Sequence, residues 1–201
     1  MILTEEILLL QKRAGIITEA EYKQKLSEVD VEDEMFAAMK SAANMIDTGA
    51  DNAKPSPKDG QLQEVGALTL GALITGAPGL ISVLGKGANL IGKAFGKDKT
   101  KIGEFLKKKG HQLEEYYLES IGGWLKAAYP SKYNDQDPLD KSTPLYDAAH
   151  KIYGALLIGA AVVSGYEAGQ ASGVVQKGVE GGLALLKGKE VLDIGQKIAA
   201  A

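Results

Sequence analysis

One glycine-rich stretch has the spacing of a phosphate-binding loop. Residues 87–94 read Gly-Ala-Asn-Leu-Ile-Gly-Lys-Ala, which fits the pattern G-x-x-x-x-G-K. In such a loop, backbone N–H groups hold the phosphates, and a Ser or Thr after the lysine binds Mg²⁺. Ala94 occupies that position here, and no acidic strand clearly follows. Residues 80–84 could supply the preceding strand, but we interpret the stretch as a basic helix with a glycine face.

Three aspartates in a polar stretch offer the oxygen ligands that Ca²⁺ prefers. They are Asp135, Asp137 and Asp140. The twelve-residue calcium loop also needs Gly at position 6 and Glu at position 12. Counted from Asp135, those positions hold Asp140 and Tyr146, so the stretch is predicted to be a polar loop.

Other metal ligands and nucleophiles are scarce in this chain. It contains no cysteine, which excludes disulfides, thiolate zinc sites and a thiol nucleophile. His111 lies near Glu114, and His150 near Asp147, but neither has the H-E-x-x-H spacing of a zinc-binding helix. We expect structural or surface roles for both histidines, and no catalytic residue, metal site or cofactor. The chain is therefore predicted not to be an enzyme.

The composition favours a helical structural protein. The 201 residues include 25 Gly, and 23 Lys+Arg against 26 Asp+Glu give a net charge of −3. Glycine is about 12% of the chain, against roughly 7% on average. The charge balance lacks the basic excess of nucleic-acid binders, so contact with nucleic acid is open but not indicated. The first residues lack a basic region followed by an apolar stretch, so no signal peptide is expected.

A proline-containing segment divides the chain. Residues 50–63 are predicted to be a linker, since they contain Pro55, Pro57 and Gly60. Residues 1–49 are predicted to form an acidic helical hairpin plus a third helix over 31–48, and residues 64–201 a Gly-rich helical body. The expected fold is an all-α, Gly/Ala-rich bundle of six to eight helices with an N-terminal hairpin.

Helical periodicity locates three elements of the body. Residues 100–128 are predicted to be one long amphipathic helix. Thr143 and Pro144 have the types of an N-cap and a first helical residue, so another long helix should begin there. A weaker helix is predicted over 178–200. The apolar face of the first of these helices comprises Ile102, Phe105, Leu106, Leu113, Tyr117, Ile121, Trp124 and Ala128.

Residues 1–30 have the clearest local pattern. Gly15 is placed to end a first helix, and Thr18 with Glu21 forms the T-x-x-E capping box of a second. Within residues 9–26, the run AGIITEAEY resembles the SHOCT-type hairpin, a small module of bacterial and phage proteins. The resemblance implies oligomerisation or partner binding; packing on the chain's own domain is the alternative. The residues assigned to this surface are Leu3, Ile7, Leu10, Ile17, Tyr22 and Leu26.

Glycines recur at helical spacing in the second half. Each glycine inside a helix costs about 0.5–1 kcal/mol relative to alanine. A stripe of them is therefore expected where two helix backbones approach closely. The predicted helix-packing residues are Gly165, Gly169, Gly173, Gly178 and Gly182.

Two further surfaces are predicted. A basic surface suits an anionic membrane, a solvated helix face or packaged nucleic acid, and comprises Lys97, Lys99, Lys101, Lys107, Lys108 and Lys109. An aromatic anchor comprises Tyr117, Trp124 and Tyr129. Such a cluster could serve a membrane interface or a protein contact, although it is more often a partly buried piece of the core.

The Gly/Ala-rich layout with its N-terminal hairpin resembles small internal or DNA-ejection proteins of tailed phages. That resemblance implies a non-enzymatic virion subunit, made in the host cytoplasm, that packs with other protein subunits as a homo-oligomer or larger assembly and can contact membrane. The alternative is a membrane-active or membrane-anchored cellular protein with glycine-zipper helices. Segments 65–85 and 152–176 approach the ~20 apolar residues that a membrane span needs.

Overall fold

The computed structural model describes residues 5–50, 70–71, 73, 79–96, 98–179 and 188–201, and the structural statements below concern these residues. They form eight helices and no strand, which confirms the predicted all-α class. The predicted linker after residue 50, Leu3, Lys97 and Gly182 lie outside the described residues. The helices are α1 (Glu5–Arg13), α2 (Glu19–Ala50), α3 (Leu80–Phe95), α4 (Lys99–Ala128), α5 (Pro130–Tyr133), α6 (Pro144–Val163), α7 (Ala168–Gly178) and α8 (Lys189–Ala200).

Helix α2 is one helix of 32 residues where two were predicted. Residue 31, where the third helix was expected to begin, lies within it. No glycine or proline occurs between Gly15 and Gly49, so nothing in the chain interrupts the backbone hydrogen bonds. Its second half packs against α3 and α4 and buries Met35, Met39, Ala42 and Ile46.

Helix α4 confirms the predicted amphipathic helix. All eight residues of the predicted apolar face are buried. Asp98 caps the helix, since its Oδ1 accepts hydrogen bonds from the backbone N–H of Thr100 at 3.0 Å and of Lys101 at 3.3 Å. The short helix α5 follows directly after α4, and its Tyr133 is buried.

Helix α6 lies at the centre of the bundle, against α3, α4, α7 and α8. Its start is as predicted, because the Thr143 hydroxyl accepts a hydrogen bond from Tyr146 N at 3.1 Å and Pro144 is the first helical residue. Every residue from Ile152 to Ala161 is buried. A helix that is apolar on all sides requires such an enclosed position.

The predicted start of the last helix, at residue 178, is wrong. Val179 has extended backbone (φ −111°, ψ 110°), and α8 begins only at Lys189. Residues 191, 194 and 198 of α8 are buried, at the spacing of one helix face. Within the part of the chain described, no helix combines the length and the apolar character that a membrane crossing needs.

Candidate functional site

The turn between α1 and α2 is held by local hydrogen bonds. Gly15 has φ 69°, and the N–H groups of Gly15 and Ile16 donate to the carbonyls of Lys12 and Gln11 at 3.0 and 2.9 Å. This is the glycine-closed helix end that the sequence predicted. The positive φ explains the glycine, because side chains with a Cβ rarely adopt it.

The predicted capping box closes the other side of this turn. Thr18 N donates to Glu21 Oε2 at 2.7 Å, and Glu21 N donates to Thr18 Oγ1 at 3.2 Å. Hydrogen bonds from the backbone and side chain of Thr18 lower the pKa of Glu21. An ion pair between Lys12 and Glu19 joins the two helices. The N-terminal hairpin, residues 5–27, therefore has a well-defined turn.

The apolar residues of the N-terminal hairpin differ sharply in exposure. Leu8 is fully buried, whereas Leu10 is 63% exposed and Ile16, in the turn, is 71% exposed. Four of the predicted surface residues are half-buried: Ile7, Ile17, Tyr22 and Leu26. Three successive leucines, 8 to 10, point in different directions because successive helical residues are rotated by about 100°. One leucine therefore packs inward while another faces solvent.

The predicted basic surface lies on the outside of α4, but several of its lysines contact other helices. Lys99 Nζ donates to Gln170 Oε1 at 2.7 Å, and Lys108 forms an ion pair with Glu32. Lys109 Nζ lies 5.6 Å from the centre of the Phe36 ring. Lys101 and Lys107 are exposed. The lysines thus serve partly to join α4 to α2 and α7.

The predicted aromatic anchor is wrong as an exposed surface. Tyr117 and Tyr129 are fully buried, and Trp124 is 2% exposed. Tyr117 OH donates to the Met39 carbonyl at 2.5 Å, and Tyr129 OH donates to the Leu73 carbonyl at 2.9 Å. Burial raises the pKa of Tyr117 well above its usual value. These rings belong to the core because α4 has α2 on one side and α6 on another.

The predicted glycine stripe is largely wrong. Gly165 has φ 99° and lies in the turn after α6. A Cβ added at Gly169 or Gly173 would meet no described atom within 4 Å, so neither lies at a helix contact in the described fold. Gly178 alone among the described predicted glycines packs tightly, since a Cβ there would lie 2.8 Å from Leu106 Cβ. The glycines have helical spacing, but Gly165 lies in a turn, and Gly169 and Gly173 lie on a helix face that no described atom contacts.

Close backbone approach occurs at other glycines, where α3, α6 and α8 meet. A Cβ at Gly195 would lie 2.6 Å from Ile158 Cγ2, and one at Gly159 would lie 2.8 Å from Ile198 Cγ2. A Cβ at Gly92 would lie 2.8 Å from the carbonyl oxygen of Ala160. The general expectation of close-packed helices is therefore met, by glycines from three separate helices.

A buried histidine and a half-buried glutamate join α4 and α6. His150 is 3% exposed, and its Nε2 lies 3.2 Å from Glu114 Oε1. His111 Nδ1, at the surface, lies 3.8 Å from the other carboxylate oxygen. The hydrogen bond from His150 is the main cause that lowers the pKa of Glu114. Both histidines thus face one carboxylate, a juxtaposition that the sequence interpretation missed.

The surroundings of this pair are aromatic. The His150 ring stacks on Tyr146 with centroids 5.5 Å apart, and Tyr153 stacks on Tyr117 at 4.9 Å. His150 Nδ1 and Tyr153 OH are buried and have no hydrogen-bond partner among the described residues. The position of Glu114 beside the apolar positions 113 and 117 was the one sequence feature that could have indicated its burial. No group of three acidic or histidine side chains that could hold a metal ion occurs in the described ranges.

Comparison with known proteins finds no matching family model, no similar curated protein and no similar solved structure.

Proposed function

We propose that this chain is a non-enzymatic assembly subunit that docks on other protein subunits through its N-terminal hairpin. The observation that carries the proposal is the exposure of Leu10 and Ile16, at 63% and 71%, beside a turn held by Gly15, Thr18 and Glu21. Burying exposed apolar side chains in a contact with another subunit lowers the free energy, because it removes apolar surface from water.

The exposure of these two residues contrasts with the rest of the described chain. The other large apolar side chains with substantial exposure are Met45 and Leu139, at 39% and 38%. Residues 10 and 16 are therefore the two most exposed large apolar side chains that the structure describes. A turn held by local hydrogen bonds favours docking, because little conformational freedom is lost when a preorganised element binds.

The setting we propose is a virion of the tailed-phage type, where internal helical proteins pack with other subunits. Its support is the resemblance in composition and layout. A cellular membrane protein is the alternative, since Leu10 and Ile16 would also suit an anionic bilayer surface. Neighbouring genes for capsid, portal and tail proteins would favour the virion setting.

The proposal is tested with the double variant Leu10→Glu/Ile16→Glu. Both side chains are largely exposed, so the variant should fold, which circular dichroism would verify. We expect light scattering after size exclusion to give an assembly of the wild type well above the 21.2 kDa chain. The double variant should give the single chain.

The matched control is Leu139→Glu, which places the same charge at an exposed leucine in the segment between α5 and α6. It should assemble like the wild type. A double variant that assembles normally would contradict the hairpin as the docking element. Flotation of the wild type with anionic liposomes, lost in the double variant, would favour the membrane alternative.

A further inference from the structure

Helix α1 has an outward face of three residues that are chemically self-complementary. Glu6, Leu10 and Arg13 are spaced i, i+4 and i+7, so they lie along one side of the helix. All three are exposed, whereas Leu8, about half a turn away from Leu10, is fully buried. The outward face therefore has an apolar centre with an acid at one end and a base at the other.

The spacing suits a two-fold contact between identical helices. Residues 6 and 13 are separated by about 10.5 Å along the helix axis, at 1.5 Å per residue. The midpoint between them lies half a residue from Leu10. A two-fold axis there brings Leu10 of two copies together and places Glu6 of each copy beside Arg13 of the other. A two-fold contact requires this kind of self-complementary surface.

We infer that the partner of the N-terminal hairpin is a second copy of this chain, with the two α1 helices packed antiparallel around an axis near Leu10. This inference rests on the proposed function and names the partner of that surface. A parallel arrangement would place Glu6 against Glu6 and Arg13 against Arg13, which like-charge repulsion disfavours.

The wider charge pattern agrees with pairing between copies. Residues 5–27 hold four acidic and four basic side chains, so two hairpins carry no net repulsion. Ile16 follows α1 in the turn, three residues after Arg13, and is itself 71% exposed. Exposed ion pairs contribute little affinity themselves, so their role here is to set the orientation.

The first test reverses the two charges separately. Glu6→Arg and Arg13→Glu each convert two attractive contacts of the dimer into repulsive ones. We expect either change to weaken self-association by about tenfold, the effect of roughly 1.4 kcal/mol. An equimolar mixture of the two variants should recover association, because each then supplies the charge that the other needs. The double variant Glu6→Arg/Arg13→Glu should also recover it. Sedimentation velocity over a concentration series measures all four.

The second test locates the axis. The chain contains no cysteine, so Leu10→Cys introduces a single thiol. A short bis-maleimide should link two copies of this variant into a species of twice the chain mass. Leu139→Cys, at a leucine that is 38% exposed and lies far from α1 in the chain, should yield no such species under the same conditions.

The outcomes separate this inference from the proposed function. A wild-type chain that stays monomeric at all concentrations overturns the second copy as partner and also contradicts the assembly expected of the wild type under the proposed function. If Leu10→Glu/Ile16→Glu abolishes assembly but the mixed charge variants do not recover it, the hairpin docks elsewhere: the antiparallel pairing is overturned and the proposed function stands. If Leu10→Glu/Ile16→Glu leaves assembly intact, both fail.

Discussion

The contact between α6 and α8 can be tested by adding a single methyl group. Gly195→Ala places a Cβ 2.6 Å from Ile158 Cγ2 and 3.2 Å from the Ala155 carbonyl oxygen. Two carbon atoms pack best at about 3.5–4.0 Å, so the helices must separate by roughly 1 Å at this point. Ile158 is fully buried and β-branched, and it has little rotamer freedom with which to move away.

The change in the free energy of unfolding expected for Gly195→Ala is the difference between two opposing effects. Overpacking in a core costs about 1–3 kcal/mol. Replacing glycine by alanine within a helix recovers about 0.5–1 kcal/mol. Because the added methyl would meet both a stiff side chain and the backbone, we expect a net loss of about 1–2 kcal/mol in the free energy of unfolding.

Gly173→Ala is the matched control, since it makes the same chemical change within α7. A Cβ there would meet no described atom within 4 Å, so the helical gain of about 0.5–1 kcal/mol should remain. The two variants should then differ by roughly 1.5–3 kcal/mol, or about 3–12 °C in Tm for a chain of this size. Urea and thermal unfolding followed by circular dichroism measure both, at concentrations where the chain does not assemble.

Two results would refute this reasoning. A Gly195→Ala variant as stable as the wild type would mean that α6 and α8 are farther apart than the structure places them. A marked loss of stability in Gly173→Ala would mean that the open face of α7 is covered, in support of the glycine stripe that the sequence suggested.

Two further predictions concern the buried polar groups. Tyr117→Phe should lower the free energy of unfolding by about 1 kcal/mol, because it removes a hydrogen bond to the Met39 carbonyl. Tyr153→Phe removes a hydroxyl with no described partner, so it should cost little stability or increase it. Equal losses for the two variants in chemical denaturation would contradict this prediction. The pKa of Glu114 is lowered in the folded state, mainly by His150, so the ionised carboxylate stabilises the fold above the ordinary pKa of 4.5, and this stabilisation is lost as the pH falls below that value. The stability of Glu114→Gln should therefore depend less on pH in that range than the stability of the wild type. Identical acid-unfolding curves for the two proteins would refute this prediction.

Features that depend on neighbours in the chain could be predicted from the sequence. The capping box of Thr18 and Glu21, the glycine closure at Gly15 and the Thr143-Pro144 start of α6 all appear as expected. Each depends on backbone groups within a few residues, so local sequence is sufficient. The buried face of α4 was predictable for a related reason, since helical periodicity identifies the residues that share one side.

Helical periodicity could not predict which residues of different helices contact one another. The even spacing of Gly165, Gly169 and Gly173 suggested one continuous helix face, but α6 ends at Val163, before the first of these glycines. Nor does periodicity identify Gly159 and Gly195, which come together from positions far apart in the chain. The meeting of Glu114 with His150, and the burial of Tyr117, likewise depend on how α4 and α6 pack.

The sequence alone therefore determined the all-α class, several helix ends and the polar character of individual faces, because these follow from backbone hydrogen bonding and side-chain spacing over one or two turns. Only the tertiary structure decided which glycines permit close helix approach, which tyrosines are buried and which leucine of α1 faces solvent. These depend on contacts between residues distant in the chain, where many pairings satisfy the same local pattern and packing selects one.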